Sequence, residues 1–137
     1  MHTAAHNGKW VVRLVDGEEL IASLLSLPLR SAVVVCGIGM LRDTELGFWN
    51  GEAYETVRAD GPHELLTLQG NLGGAADARV LHLHVGLGKK DTSVCGGHLV
   101  RATVHNTAEL LIEELPGIEL DRRKERGGLL GLYPREA

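Results

Sequence analysis

Six residues, Val80-Leu81-His82-Leu83-His84-Val85, constrain this chain more than any other stretch. Polar and apolar side chains alternate along them. A period of two is the mark of a β-strand with one buried and one accessible face. Val80, His82 and His84 then share one face, and Leu81, Leu83 and Val85 the other. Histidines two apart on a strand lie about 7 Å apart at Cα, close enough for their rings to converge. Three imidazoles that leave a coordination position open form a familiar site for a catalytic divalent metal. The pair therefore prompts a search for a third histidine.

His98, in Gly96-Gly97-His98-Leu99, is the candidate. The segment from Gly88 to Ser93 is polar and turn-like, and suits the tip of a hairpin. With the tip at Lys90, His98 faces His82; with the tip at Asp91, it faces His84. Cross-strand partners share a face, so both registers bring the three rings together. A tip between those residues would not. Gly96-Gly97 also permits a bulge that re-aims the ring. The alternative reading of His-x-His is the polar face of a half-exposed sheet; His98 at hairpin spacing favours a metal site.

The rest of the chain sets the frame. Its 137 residues fit one domain, 1–137, with enough chain for a core without staples. A net charge of −4 argues against a general nucleic-acid binder. The start of the chain lacks the apolar run of a secretory signal, and no stretch has the length of a membrane span, so a cytoplasmic protein with no membrane partner is expected. Cys36 and Cys95 form no CxxC pair. They read as two buried, reduced thiols, with Cys95 as a further metal ligand the alternative to a small core residue.

Trp10–Val15 reads as a first strand. Asp16 is a plausible N-cap, with Glu18 and Glu19 in the first turn that follows. Leu20, Ile21, Leu24, Leu25 and Leu27 give a helical stripe that Pro28 ends, which predicts the one substantial helix. Ser31–Gly39 is a buried apolar strand, and Leu41–Trp49 a second one. Asn50-Gly51 turns the chain into a return strand over Ala53–Arg58. His63–Leu72 is a further strand, and 73–77 a glycine-rich turn into the histidine strand. Val100–His105 continues as strand. Glu109–Leu115 is helical by composition and strand-like by context, and strand is preferred. The charged run Asp121–Arg126 reads as a solvated face. Gly127–Tyr133 is a closing strand or an arm to a neighbouring subunit. The order predicts an α+β fold: a mostly antiparallel sheet packed against one main helix.

These residues bring a family into view. Leu14-x-x-Gly17-Glu18-x-Leu20, Gly37-Ile38-Gly39, Gly61-Pro62-His63-Glu64-Leu65-Leu66-x-Leu68-x-Gly70-Asn71, His82-Leu83-His84-Val85, Gly96-Gly97-His98-Leu99 and Thr107-Ala108-Glu109 run in the order found in the plant and prokaryote conserved (PPC) domain. The chain resembles that family over residues 9 to 115, leaving 116–137 as a C-terminal tail. The resemblance implies a compact α/β domain that forms a homotrimer, and prokaryotic members that carry metal at the positions of His82, His84 and His98. Glu64 falls on the acidic position of the plant motif Gly-Arg-Phe-Glu-Ile-Leu. In plants the domain follows AT-hooks in nuclear proteins; this chain has no Arg-Gly-Arg core of that kind, so DNA ranks below metal as a partner.

Two functions follow. One is a homotrimeric metal-binding domain, zinc by ligand type, with a regulatory, ligand-binding or DNA-associated role. The other is a metal-dependent hydrolase or lyase, in which the open metal position activates water and Glu64 or His63 serves as general base.

Overall fold

A computed structural model describes residues 1–75 and 77–137. In chain order the elements are β1 (His2–His6), β2 (Lys9–Val15), α1 (Leu20–Leu25), β3 (Ala32–Trp49), β4 (Tyr54–Ala59), β5 (His63–Gly73), β6 (Val80–Gly88), β7 (Val94–Glu114), β8 (Ile118–Lys124) and β9 (Leu130–Glu136). Seven strands form one antiparallel sheet in the order β1-β2-β7-β6-β5-β3-β4, and β3 also pairs with β7. The second pairing closes β3, β5, β6 and β7 into a ring. β8 and β9 form a separate hairpin.

The core lies inside that ring and under α1. Leu14, Leu20, Leu41, Leu68, Leu83, Leu87, Leu99 and Val104 are fully or almost fully buried there. Each comes from the apolar phase of its strand or from the helix stripe. Burial of such side chains contributes about 1.5–3 kcal/mol apiece, which locks the strand phase. In β6 that phase is Leu83, Val85 and Leu87, and it leaves His82 and His84 outside.

The expected main helix is a correction. The sole helix among the described residues is six residues long, Leu20–Leu25. Asp16 does not cap it. Glu19 does, its Oε2 accepting the Ala22 amide at 2.6 Å. Residues 16–18 serve the sheet instead. Gly17 takes φ +85° and donates to the Val104 carbonyl, while the Val104 amide donates to the carbonyl of Glu18. Those bonds hold Asp16 and Gly17 in a turn against β7 and postpone helix entry. Pro28 and the pairing of β3 limit the other end.

Three strand boundaries also differ. The two expected strands on either side of Met40 are one, β3, bent by register shifts rather than broken. Gly39 allows the bend: at φ +141°, a Cβ there would stand 2.2 Å from the Thr107 carbonyl oxygen. Val100–His105 and Glu109–Leu115 merge into β7 with the Gly-Gly-His segment, so strand prevails over helix. β1 was not expected. Asn7 and Gly8, at φ 48° and 76°, turn it back onto β2, and Asn-Gly is the residue pair such a turn favours. The expected turn at 73–77 includes Ala76, which lies outside the described residues.

The cysteines need correcting as well. Both are free, but Cys36 is exposed and Cys95 only half-buried. Cys95 sits opposite Leu87 and packs against the core, on the other sheet face from His98.

Candidate metal centre

The β6–β7 ladder pairs His84 with His98, Val85 with Gly97 and Gly86 with Gly96. This is the register with the hairpin tip at Asp91. No register shift interrupts it, so the two glycines do not bulge this ladder. Their use is clearance: a Cβ on Gly96 would stand 2.3 Å from the Val85 carbonyl oxygen. β5 flanks β6 on its other edge, with Asn71 opposite His82 and Gln69 opposite His84. Gly70 lets those two strands approach, since a Cβ there would lie 1.9 Å from the His82 carbonyl oxygen.

The three imidazoles converge. Ring centroids are 5.1 Å apart for His82 and His84, 5.0 Å for His82 and His98, and 5.5 Å for His84 and His98. One nitrogen from each lies within 4.8 Å of the other two. The Nε2 atoms of His82 and His84 are 3.2 Å apart. Tetrahedral zinc with bonds of about 2.0–2.1 Å sets its ligand nitrogens roughly 3.3 Å apart, so this pair already has the spacing of coordinated rings. Nδ1 of His98 is buried with no hydrogen-bond partner. The protein itself leaves that nitrogen's bonding capacity unused, and the three rings fit a metal ion.

Their protonation suits ligation. Burial pushes the His82 imidazole down to about 4, helped by the charges of His98, Arg122 and His84. Burial, and then His84, lower His98 as well. Both rings are therefore neutral near pH 7, the form that binds metal without first losing a proton.

A cavity of about 600 Å³ opens over the rings. Its walls come from two further elements. Trp49 and Tyr54 stand where β3 turns into β4, and Tyr54 stacks on His98 at 4.6 Å and 20°. Gly47 makes room for that stack, since a Cβ there would lie 2.9 Å from Tyr54 Cδ1. The tail hairpin supplies Arg122 and residues Gly128–Leu132. Arg122 donates from Nη1 to the Leu130 carbonyl at 3.1 Å and from Nη2 to Asn71 Oδ1. Sequence reading missed this residue: a mixed-charge run looks like a solvated face, and nothing local distinguishes the one arginine that turns inward. Gly127–Tyr133 contributes most of β9 rather than standing apart.

Glu64 is not brought to the rings. It is exposed on β5 opposite Gly88, four residues along β6 from His84, roughly 13 Å at the strand rise. His63 is turned aside, its Nδ1 3.1 Å from the Gly61 carbonyl. Among the described residues, no carboxylate lines the cavity.

Among solved structures, the chain is similar to a plant- and prokaryote-conserved (PPC) protein from Pyrococcus horikoshii, 27% identical, with a TM-score of 0.86 over 99% of this chain and 96% of that one. It is similar to a metal-containing protein from Archaeoglobus fulgidus, 27% identical, TM-score 0.82, covering 91% and 92%. A protein from Bacteroides thetaiotaomicron with a provisional DNA-binding name is 24% identical, TM-score 0.88, covering 96% of each chain, a likeness that speaks to the fold alone. No curated protein matches. Among the described residues, no helix is long and apolar enough to cross a membrane. The family model of the Plants and Prokaryotes Conserved (PCC) domain matches residues 1–116, and the chain belongs to that family.

Proposed function

We propose that this chain is a metal-binding module in which His82, His84 and His98 hold one divalent ion, zinc by ligand type, with a coordination position left open towards the cavity. The convergence of three ring nitrogens within 4.8 Å carries this reading. A structural zinc site would be closed by a fourth protein ligand; among the described residues the cluster holds three. The open position and the cavity above it suit a small ligand, and a regulatory or ligand-responsive role follows. The metal-containing relative from Archaeoglobus fulgidus supports the reading.

The homotrimer belongs to the same proposal. Val11, Ile38, Phe48, Val57 and Val94 expose between 59% and 71% of their surface. A trimer would offer these side chains other copies to pack against. A metal-dependent hydrolase or lyase is the second reading, favoured by the cavity. It is the weaker one, because no carboxylate stands beside the rings to act as base, and Glu64 is too far along β5 to touch them. DNA ranks lower still, since an acidic chain repels a phosphate backbone.

Elemental analysis of the purified protein, beside the His82→Ala/His84→Ala double variant, tests the site. One metal per chain in the parent and none in the variant is the expected result. A parent without metal after growth in zinc-replete medium would overturn it. Sedimentation tests the assembly, and a monomer at micromolar concentration would end the trimer.

A further inference from the structure

We propose that the cavity takes a small organic carboxylate with an apolar body, and that Arg122 is the residue that recognises its charge. The inference deepens the metal-site reading and rests on it for the second point of attachment.

The charge balance of the cavity carries the argument. Its lining contains a guanidinium and three imidazoles, and no acidic side chain. The hydrogen bonds of Arg122 go to an amide oxygen and a backbone carbonyl, both neutral. Its Nε is buried and has no partner. A half-buried guanidinium without a carboxylate is costly, and such groups are ordinarily paired. A divalent ion on the histidines adds two positive charges beside it. With the His82 and His98 rings neutral, Arg122 is the charged group of the lining, and an ion on the histidines would join it with no acidic side chain among the described lining residues to balance the two. An anion from outside would. The named bonds use one N–H on each terminal nitrogen of the guanidinium and leave one on each, and a carboxylate matches that pair of parallel donors. One ligand anion could reach Arg122 and the open metal position together.

The rest of the cavity says what the anion carries. Trp49, Leu81, Leu129, Leu130 and Leu132 form its walls. Leu130 and Leu132 keep 40% and 39% of their surface exposed, although they sit at the lip of a cavity rather than on a convex face. A bare inorganic anion would leave these walls wet. An alkyl or aryl group attached to the carboxylate would cover them. The tail hairpin supplies both the charge and the lip, and it lies beyond the residues matched by the family model. It would therefore set which carboxylate this chain accepts.

The competing account is that Arg122 only ties the hairpin to β5 through Asn71. Hexanoate, hexanol and inorganic phosphate separate the two when titrated calorimetrically into zinc-loaded and zinc-stripped protein. Hexanoate should bind the zinc-loaded protein at least tenfold more tightly than either hexanol or phosphate. Arg122→Gln should weaken hexanoate at least tenfold and leave hexanol and zinc content unchanged. Arg122→Lys, which keeps the charge but replaces the fork with a single ammonium, should bind hexanoate more tightly than the Gln variant and less tightly than the parent. Equal losses of hexanoate and hexanol in Arg122→Gln would show a merely structural role and overturn the assignment, as would equal losses in the Gln and Lys variants. Phosphate binding as tight as hexanoate would remove the apolar body. Zinc content, read separately by elemental analysis, keeps the two proposals apart. Zinc bound while hexanoate ignores Arg122 sinks the anion alone. No zinc, with Arg122-dependent hexanoate binding to the protein as purified, sinks the metal alone.

Discussion

His84 stands directly across the β6–β7 ladder from His98, with Leu83 and Val85 on either side of it turned into the core. Backbone pairing therefore aims the two rings, and neither depends on a loop. The histidines lie outside the core, so removing them should leave the fold intact. We expect His98→Ala to weaken zinc affinity by a hundredfold or more in a competition titration with a chromophoric chelator. Thermal unfolding of the metal-free variant should fall below the metal-free parent by only about 0.5–1.5 kcal/mol, the worth of the lost stack on Tyr54. Unchanged zinc affinity would remove His98 from the site.

Gly70→Ala should act the other way, through the scaffold. The added methyl would meet the backbone at the His82 carbonyl oxygen, 1.9 Å away, and no side-chain rotation relieves that. β5 and β6 must separate, which moves His82 and breaks ladder bonds. A loss of about 2–4 kcal/mol in denaturant unfolding is expected, from strain and lost pairing, together with weaker zinc binding. A variant as stable as the parent would mean that the strands accommodate a side chain there.

Much of this was legible in advance, for reasons that particular residues make plain. Period-two alternation from Val80 to Val85 announced both the strand and its wet face, because burying Leu83 and Val85 leaves the histidines no other side. The spacing to His98 left the hairpin tip at Lys90, at Asp91 or between them, and the structure has it at Asp91. The helix was overread because the stripe from Leu20 to Leu27 is only local. Two hydrogen bonds with Val104, far along the chain, settle where it starts: the Gly17 amide donates to the Val104 carbonyl, and the Val104 amide donates to the Glu18 carbonyl. Arg122 was illegible for the same kind of reason. Its place beside the rings depends on how β8 and β9 fold back over β5, and a charged run carries no trace of that.

Arg79 illustrates another long-range dependence. Its guanidinium donates to the carbonyls of Leu25 at 2.6 Å, Leu27 at 3.0 Å and Leu29 at 2.8 Å. It thus satisfies the end of α1 and the segment after it from just ahead of β6. A helix of six residues has little cooperativity of its own, so this clamp should matter. Arg79→Lys keeps the charge but replaces a fork with a single ammonium. We expect it to cost about 1–2 kcal/mol, by lost hydrogen bonds, and Arg79→Ala to cost more. Hydrogen exchange at Leu24 and Leu25 should speed up in both. Unchanged exchange would show that the helix holds without the clamp.

Asp16 gives the acid dependence. Its Oδ1 accepts the Asn106 amide and Arg42 Nη1, each at 2.8 Å. The Asn106 amide, then the Arg42 guanidinium, hold its carboxyl below the ordinary value of 3.8. Asn106 sits at φ 65° inside β7, so the carboxylate secures a left-handed residue in the strand that the backbone alone would not favour. The sign follows from the direction of the shift. The unfolded chain takes up the proton at a higher pH than the folded one. The ionised carboxylate therefore stabilises the fold at pH values above the ordinary one, and that contribution fades as pH falls through 3.8 towards the lowered value. Asp16→Asn keeps an oxygen for the Asn106 amide but cannot titrate. Urea midpoints measured between pH 6 and pH 3 should show the parent above the variant at pH 6, with the gap narrowing below pH 4. A gap that stays constant across the range would mean that the carboxylate's charge contributes nothing at this position.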